Sequence, residues 1–216
     1  MFVSRFLTFE GPDGAGKDSV LDVVVPQLQQ HLTRELVVTR EPGGDPIAEK
    51  IRELILDPAN TAMDDRTEAL LYAASRHQHL QQVIEPALVR GAIVLCDRFV
   101  DSSIAYQGAG RQIGETAVAE INEFATSGRT PDLTVYLDVP AQVGLERIRS
   151  KRKDIQYDRL DQEEDAFHER VRAAYLRLAA ANPKRIVTVD AQQPLAAVCA
   201  DTLTVLKQHL AAYWQN

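Results

Sequence analysis

The stretch Phe9–Ser19, FEGPDGAGKDS, decides how the rest of the chain is read. Ahead of it, Arg5–Phe9 (RFLTF) is a short apolar run with two aromatics and a threonine, which suits a buried strand. Gly11, Gly14 and Gly16 break the run, and apolar residues in a helical pattern begin after Lys17. Strand, glycine-rich turn and helix in that order are the setting of a phosphate-binding loop, and Gly11 to Lys17 has its spacing of glycine, four residues, glycine, lysine. Glycines let the backbone curl so that its N–H groups converge on an anion. The helix N-terminus adds partial positive charge, and Lys17 brings a flexible point charge to the phosphates. One residue departs from the pattern. Asp18 stands where a serine or threonine hydroxyl would ligate magnesium, and Ser19 cannot replace it, because one step along a helix turns the side chain by roughly 100°.

The chain has 216 residues, enough for a real hydrophobic core, with 45% hydrophobic and 25% charged residues, as in ordinary globular proteins. A formal net charge of −7 excludes general nucleic-acid binding, which needs a dominant basic surface, and leaves room for a nucleotide held by a few placed cations. Cys96 and Cys199 are too few and too far apart for a disulfide framework or zinc site and read as buried thiols in a reducing compartment. The N-terminus MFVSRFLTF runs straight into the loop without a leader pattern, and no apolar run reaches the ~20 residues of a membrane span. The expectation is a cytoplasmic protein with no membrane partner.

Along the chain, helix is expected over 20–32, with Pro26 kinking or breaking it near Val25. A strand at 36–39 leads into Arg40-Glu41-Pro42-Gly43-Gly44, a turn rich in backbone breakers. Helix 46–56 carries Ile47, Ile51, Leu54 and Ile55 on one face, and a long helix spans 66–89 with Pro86 near its end. Ala92–Cys96 (AIVLC) reads as a strand buried on both faces, followed at once by Asp97-Arg98-Phe99. Helix 115–126, strand 133–137, helices 141–152 and 163–181, strand 186–189 and helix 195–210 complete a single domain over residues 1–216. Alternating strands and helices imply a parallel α/β sheet whose ligands bind beyond the strand C-termini. The loop, Arg40–Gly44, Asp97–Phe99 and Asp138 should therefore meet in one crevice.

Asp97-Arg98 joins a carboxylate suited to magnesium with a guanidinium suited to clamping a phosphate, although alone the pair would pass for a strand-end ion pair. Asp101-Ser102-Ser103 and Tyr106-Gln107-Gly108 offer groups able to orient a base and sugar, or are polar turn residues. Arg40, Arg52 and Arg76 fall near predicted strand mouths and suggest a second anionic site, against the plainer reading of solvated helix faces. Tyr72 and Arg76, four apart, share one helix face. Arg147–Lys153 (RIRSKRK) puts five cations in seven residues. It reads as a basic flap over a polyphosphate, with a solvated helix end or a nucleic-acid patch as alternatives. Phosphoryl transfer needs such charge neutralisation and the exclusion of water.

Taken together, FEGPDGAGK (Phe9–Lys17), TREPGG (Thr39–Gly44), RTEALLYAASR (Arg66–Arg76), DRFVDSSIAYQG (Asp97–Gly108), PDLTVYLDV (Pro131–Val139) and DRLDQE (Asp158–Glu163) resemble bacterial thymidylate kinase in family order across nearly the whole chain. The resemblance implies a three-layer P-loop kinase fold, with a five-stranded parallel sheet flanked by helices and a lid near 147–160. It implies transfer of the γ-phosphoryl group of ATP to dTMP with magnesium, in dTTP synthesis, by a homodimer. It further implies that Gly11, Pro12, Asp13, Gly14, Ala15, Gly16, Lys17, Asp18 and Ser19 hold ATP. Asp13, Arg40, Glu41, Pro42, Arg52, Tyr72, Arg76, Arg98, Ser103, Tyr106 and Gln107 would hold dTMP, with Tyr72 stacking on the base and a cis peptide before Pro42. Asp13, Lys17, Asp97 and Arg98 would be catalytic, and Asp97 with Asp18 would hold the metal. Since Gly14 stands where some members carry arginine, the flap residues Arg147, Arg149 and Arg152 would supply the transition-state cation.

Two other functions remain compatible with the sequence: a kinase for a different nucleoside monophosphate, or a nucleotide-binding protein whose catalysis Asp18 has weakened. The Asp18 carboxylate could ligate magnesium itself, or repel the phosphate chain by up to a few kcal/mol in a low-dielectric site. The repulsive term predicts that Asp18→Thr lowers the Michaelis constant for MgATP. Equal constants and equal turnover in steady-state assays of the two proteins would refute it.

Overall fold

A computed structural model describes residues 5–151 and 163–215. Five strands, β1 (Arg5–Glu10), β2 (Leu36–Arg40), β3 (Ile93–Asp97), β4 (Leu133–Asp138) and β5 (Ile186–Asp190), form one parallel sheet in the order β2-β3-β1-β4-β5. Every expected strand is present, and each ends one residue later than its apolar run, on Glu10, Arg40, Asp97, Asp138 or Asp190. The backbone ladder continues past the last buried side chain, which delivers a charged group to the sheet's C-terminal edge. Register aligns those ends: Asp97 of β3 stands opposite Phe9 of β1 and Arg40 of β2.

Alternation along the strands explains their continuous apolar runs. Leu7, Phe9, Ile93, Leu95, Leu133, Val135 and Leu137 pack against α1 (Lys17–His31) and α9 (Leu195–His209), whose Val20, Val24, Leu28, Val198 and Leu206 fill the same core. Phe6, Val94 and Cys96 point to the opposite layer and meet Leu80, Ile84 and Ala87. On that side Tyr136 joins Val171 and Tyr175 of α8 (Asp165–Ala181). Both faces are covered, as a parallel sheet requires.

The helices correct two expectations and add a segment for which none was made. Helix α1 runs unbroken through Pro26, because Pro26 and Asp22 face solvent, where water can hydrate the Asp22 carbonyl that lacks its intrahelical donor. In α2 (Pro46–Leu56) the core-facing stripe is Ala48 and Ile55, one residue round from the expected face, so Ile47 and Leu54 stay 53% and 48% exposed. Residues 100–110 are helical throughout: α5 (Val100–Ser103) passes directly into a π turn (Ile104–Gly110). The long second helix is present as α3 (Asp65–His79), a π turn (Leu80–Ile84) and α4 (Glu85–Val89), with Pro86 lying just past the wide turn. Side chains of Asp45 and Asp64 cap α2 and α3 by accepting from backbone N–H groups of their first turns. Helix α6 (Glu115–Thr126) packs on α3, and among the described residues no helix is long and apolar enough to cross a membrane.

Helix α7 (Ala141–Lys151) begins at the end of β4 and lays Gly144 against the glycine-rich loop. A Cβ on Gly144 would stand 2.5 Å from the Asp13 carbonyl oxygen, and Gly14, at φ +75°, would in turn drive a Cβ into the Gly144 backbone. Loop and helix thus touch main chain to main chain. Glycine to alanine in an exposed helix interior stabilises by about 1 kcal/mol. Gly144→Ala should instead destabilise by about 1–3 kcal/mol through overpacking, read as a lower urea midpoint at unchanged slope; stabilisation would mean that the contact is not tight.

Candidate active site

A cleft of about 1000 Å³ opens along the C-terminal edge of the sheet. Of the sequence-predicted residues, Asp13 to Ser19, Arg40, Glu41, Pro42, Arg52, Tyr72, Arg76, Asp97, Arg98, Ser103, Tyr106, Gln107 and Arg147 all line it. Gly11 and Pro12 are buried beneath it, in the floor of the loop. Arg149 lies on the exposed side of α7, 3.8 Å from Asp165, and Arg152 falls outside the described residues, as does the DRLDQE motif up to Gln162. The cleft also takes in Ala191 to Leu195, beyond β5. That wall was missed, although the strand-end logic applied to the other four strands points to it.

Lys17 and Arg98 meet on one atom. Lys17 Nζ donates to the Gly11 carbonyl at 3.4 Å and Arg98 NH1 donates to the same oxygen at 3.0 Å. Arg98 sits at φ +67°, a left-handed backbone that costs a non-glycine residue roughly 1–3 kcal/mol. Its side chain holds it there: NH2 donates to Asp13 Oδ1 at 2.6 Å and the Tyr106 hydroxyl at 3.2 Å, and NH1 donates to Ser102 Oγ at 3.1 Å. The guanidinium also stacks over the Tyr106 ring at 4.9 Å. Burial alone would raise the Asp13 carboxyl, but Arg98 and Lys17 outweigh it and hold the group below its usual value. Burial and the Arg98 charge lower the Lys17 ammonium, against Asp97, Asp13 and Asp18, which support it.

The opposite wall rests on Glu41. Its peptide to Pro42 is cis, as the family resemblance implied. The buried Glu41 carboxylate pairs with Arg76 Nε at 2.7 Å and His79 Nδ1 at 3.0 Å. Above it the Pro42 carbonyl accepts from both Arg40 and Arg52 at 3.0 Å. Arg76 is 1% exposed and also donates to Ser103 Oγ, the Phe99 carbonyl and Asn122 Oδ1. Glu41, His79 and Cys96 bring ligand atoms within 4.8 Å of one another. His79 Nε2 is spoken for by Thr39 Oγ1 at 2.6 Å, and burial pushes the Cys96 thiol well up while it donates to the Arg98 carbonyl, so hydrogen bonding accounts for this cluster.

A magnesium ion fits better at Asp97. Its Oδ1 is buried without a hydrogen-bond partner, which is costly unless a cation or ligand completes it. Asp18, exposed in the first turn of α1, faces the same cleft with a second hard oxygen ligand.

The thymidylate kinase family profile matches residues 9–201. The chain belongs to the thymidylate kinase family. The thymidylate kinase of Latilactobacillus sakei is 64% identical over 206 residues, spanning 95% of this chain and 96% of its own. That of Lacticaseibacillus casei is 65% identical, over 92% and 94%. The crystal structure of thymidylate kinase from Ehrlichia chaffeensis superposes with a TM-score of 0.74 at 30% identity, covering 94% of this chain and 98% of that one. The five-stranded parallel sheet with helices on both faces is therefore the fold of a solved family member.

Glu10 is a residue of this kinase site that the sequence reading passed over, although it follows Phe9 within the deciding stretch. Period-two alternation puts it on the buried face shared by Phe6 and Thr8. Its carboxyl accepts from Phe99 N–H at 2.8 Å, Ser102 Oγ at 2.5 Å and the Tyr175 hydroxyl at 2.9 Å, bracing Arg98 from behind. Burial first, then the Asp101 charge, raise it from 4.5 to about 7, against the Ser102 bond and Arg98, which lower it. A folded-state value above the unfolded one means stability present below about 4.5 and lost as pH rises through about 7. Glu10→Gln should remove this dependence, so that the stability of the unaltered protein relative to the variant falls by ~3 kcal/mol between pH 4.5 and 8. Parallel pH profiles in denaturant titrations would rule the assignment out.

Proposed function

We propose that the chain transfers the γ-phosphoryl group of ATP to dTMP, giving dTDP for dTTP synthesis. The observation that carries this reading is the shared Gly11 carbonyl: Lys17 of the phosphate loop and Arg98 of β3's end converge there, between a donor wall and an acceptor wall. Loop N–H groups and Lys17 bind the ATP phosphates, and Arg147, tied to the Gly14 and Ala191 carbonyls at 3.4 and 2.9 Å, adds positive charge beside them. Arg98, Arg40 and Arg52 hold the acceptor phosphate, whose oxygen attacks the γ-phosphorus as the bond to the ADP oxygen breaks. Asp13, kept ionised by Arg98, accepts from the sugar 3′-hydroxyl. Tyr72 stacks on the base, and Arg76, Ser103 and Gln107, with Tyr106, line its polar edge. Asp97, with Asp18 beside it, would hold magnesium, which would neutralise charge on the transferred group. The lid expected over 147–160 lies outside the described residues from 152 onward.

The same reading takes the chain to be a cytoplasmic homodimer. Exposed Ile47 and Leu54 on α2, Leu70 on α3 and Phe124 on α6 support self-association, since these apolar side chains lie on mutually packed helices.

A coupled assay of ADP formation tests the substrate. With MgATP, dTMP should be preferred over dUMP, dCMP and dGMP. Preference for another acceptor, or nucleotide binding in calorimetry without ADP formation, would overturn the proposal.

A further inference from the structure

Gln107 lies at the floor of the cleft with 1% exposure, and one buried carboxylate controls which way round its amide stands. Glu68 of α3, 0% exposed, accepts from Gln107 Nε2 at 2.8 Å. Its other oxygen pairs with Arg111 at 3.1 Å. Arg111 is itself held by Glu163 at 2.5 Å and Asp65 at 3.5 Å, and by stacking over Phe167 at 5.1 Å. A carboxylate locked to a guanidinium can only accept, so the face of the Gln107 amide turned towards Glu68 must be its amino group. The reversed amide would set carbonyl against carboxylate, two acceptors at 2.8 Å in a buried site. The carbonyl oxygen is left for the ligand.

We infer that Glu68, which itself touches no ligand, is the positioning residue that fixes base preference by making Gln107 a one-way acceptor. The inference rests on the reading above, in which Gln107 faces the base of the acceptor nucleotide. A base with an imide N–H, thymine or uracil, satisfies that oxygen. Cytosine, with a bare ring nitrogen beside an amino group, needs the amide reversed and meets a fixed mismatch. A site committed to one hydrogen-bond polarity rejects the wrong partner far better than one that can adjust. No residue that contacts the base has to change for this preference to weaken.

Kinetics of Glu68→Gln with dTMP and dCMP test it. The amide introduced by that substitution can donate or accept, so Gln107 becomes free to turn. The ratio of kcat/KM for dTMP over dCMP should fall about tenfold or more, with kcat/KM for dCMP rising in absolute terms, which simple structural damage would not produce. The KM for ATP should stay within about twofold. The exchanged pair Glu68→Gln with Gln107→Glu rebuilds one donor facing one acceptor-only group and should restore the preference for dTMP. It carries the test alone should the single variant fail to fold. A ratio unchanged in Glu68→Gln, or an exchanged pair whose ratio stays about tenfold or more below that of the unaltered protein, would overturn the role of Glu68 while leaving the dTMP assignment standing. An unaltered protein with no preference for dTMP over dCMP would remove the base-site reading itself, and this inference with it.

Discussion

The site depends on one junction, the Arg98 guanidinium bonded to the Gly11 carbonyl and the Asp13 carboxylate. Gly11 and Asp13 belong to the loop after β1, while Arg98 follows β3, so the junction ties two neighbouring strand ends together. It holds Arg98 in a backbone conformation that a non-glycine residue would otherwise leave. The strain and the charge pairing locate the same point, where the loop after β1 meets the end of β3. Removing one partner of such a partly buried ion pair would leave the other charge uncompensated.

Two further charged clusters brace that junction. Behind it, Glu10, Ser102 and Tyr175 form a hydrogen-bonded set against the α8 side of the sheet. Across the cleft, Glu41 holds Arg76 and His79, so the turn carrying Arg40 and Pro42 is anchored to α3 by buried charge. Beyond Gln107, Glu68 and Arg111 extend the same principle towards Glu163, the first described residue after 152–162. Glu10 and Glu68 do not line the cleft themselves, yet each is bonded to a residue that does. Satisfied polar networks in a low-dielectric interior are rigid, and rigidity is what positioning a phosphoryl donor against an acceptor requires.

The glycine contact between the loop and α7 adds a constraint of shape. Gly14 and Gly144 let two backbones touch, so the helix leading towards the basic segment bears directly on the phosphate loop. A side chain at position 14 has no room in this arrangement. The cations that bond the loop therefore come from other positions: Lys17 on α1, Arg98 after β3 and Arg147 on α7.

Much of this was legible in the chain itself. Apolar runs of strand length separated by helical patterns dictate a parallel sheet, because period and connection length leave no other way to bury both faces. Loop spacing and charged residues after each run identify the edge where ligands bind, since strand C-termini share one side. Backbone breakers marked the turn at 40–44, while the cis peptide before Pro42 was an implication of the family resemblance. What local pattern cannot carry is contact between segments far apart. The one-residue rotation of α2, the smooth passage through Pro26 and the helical course of 100–110 were decided by which neighbour each face met. The partners Glu10, Glu68, Asn122 and Tyr175 lie in different elements from the groups they orient, and their pairing exists only once the sheet has brought those elements together. A hydrogen bond needs its two atoms within about 3 Å, and it is the folded chain, through packing of distant segments, that sets that distance.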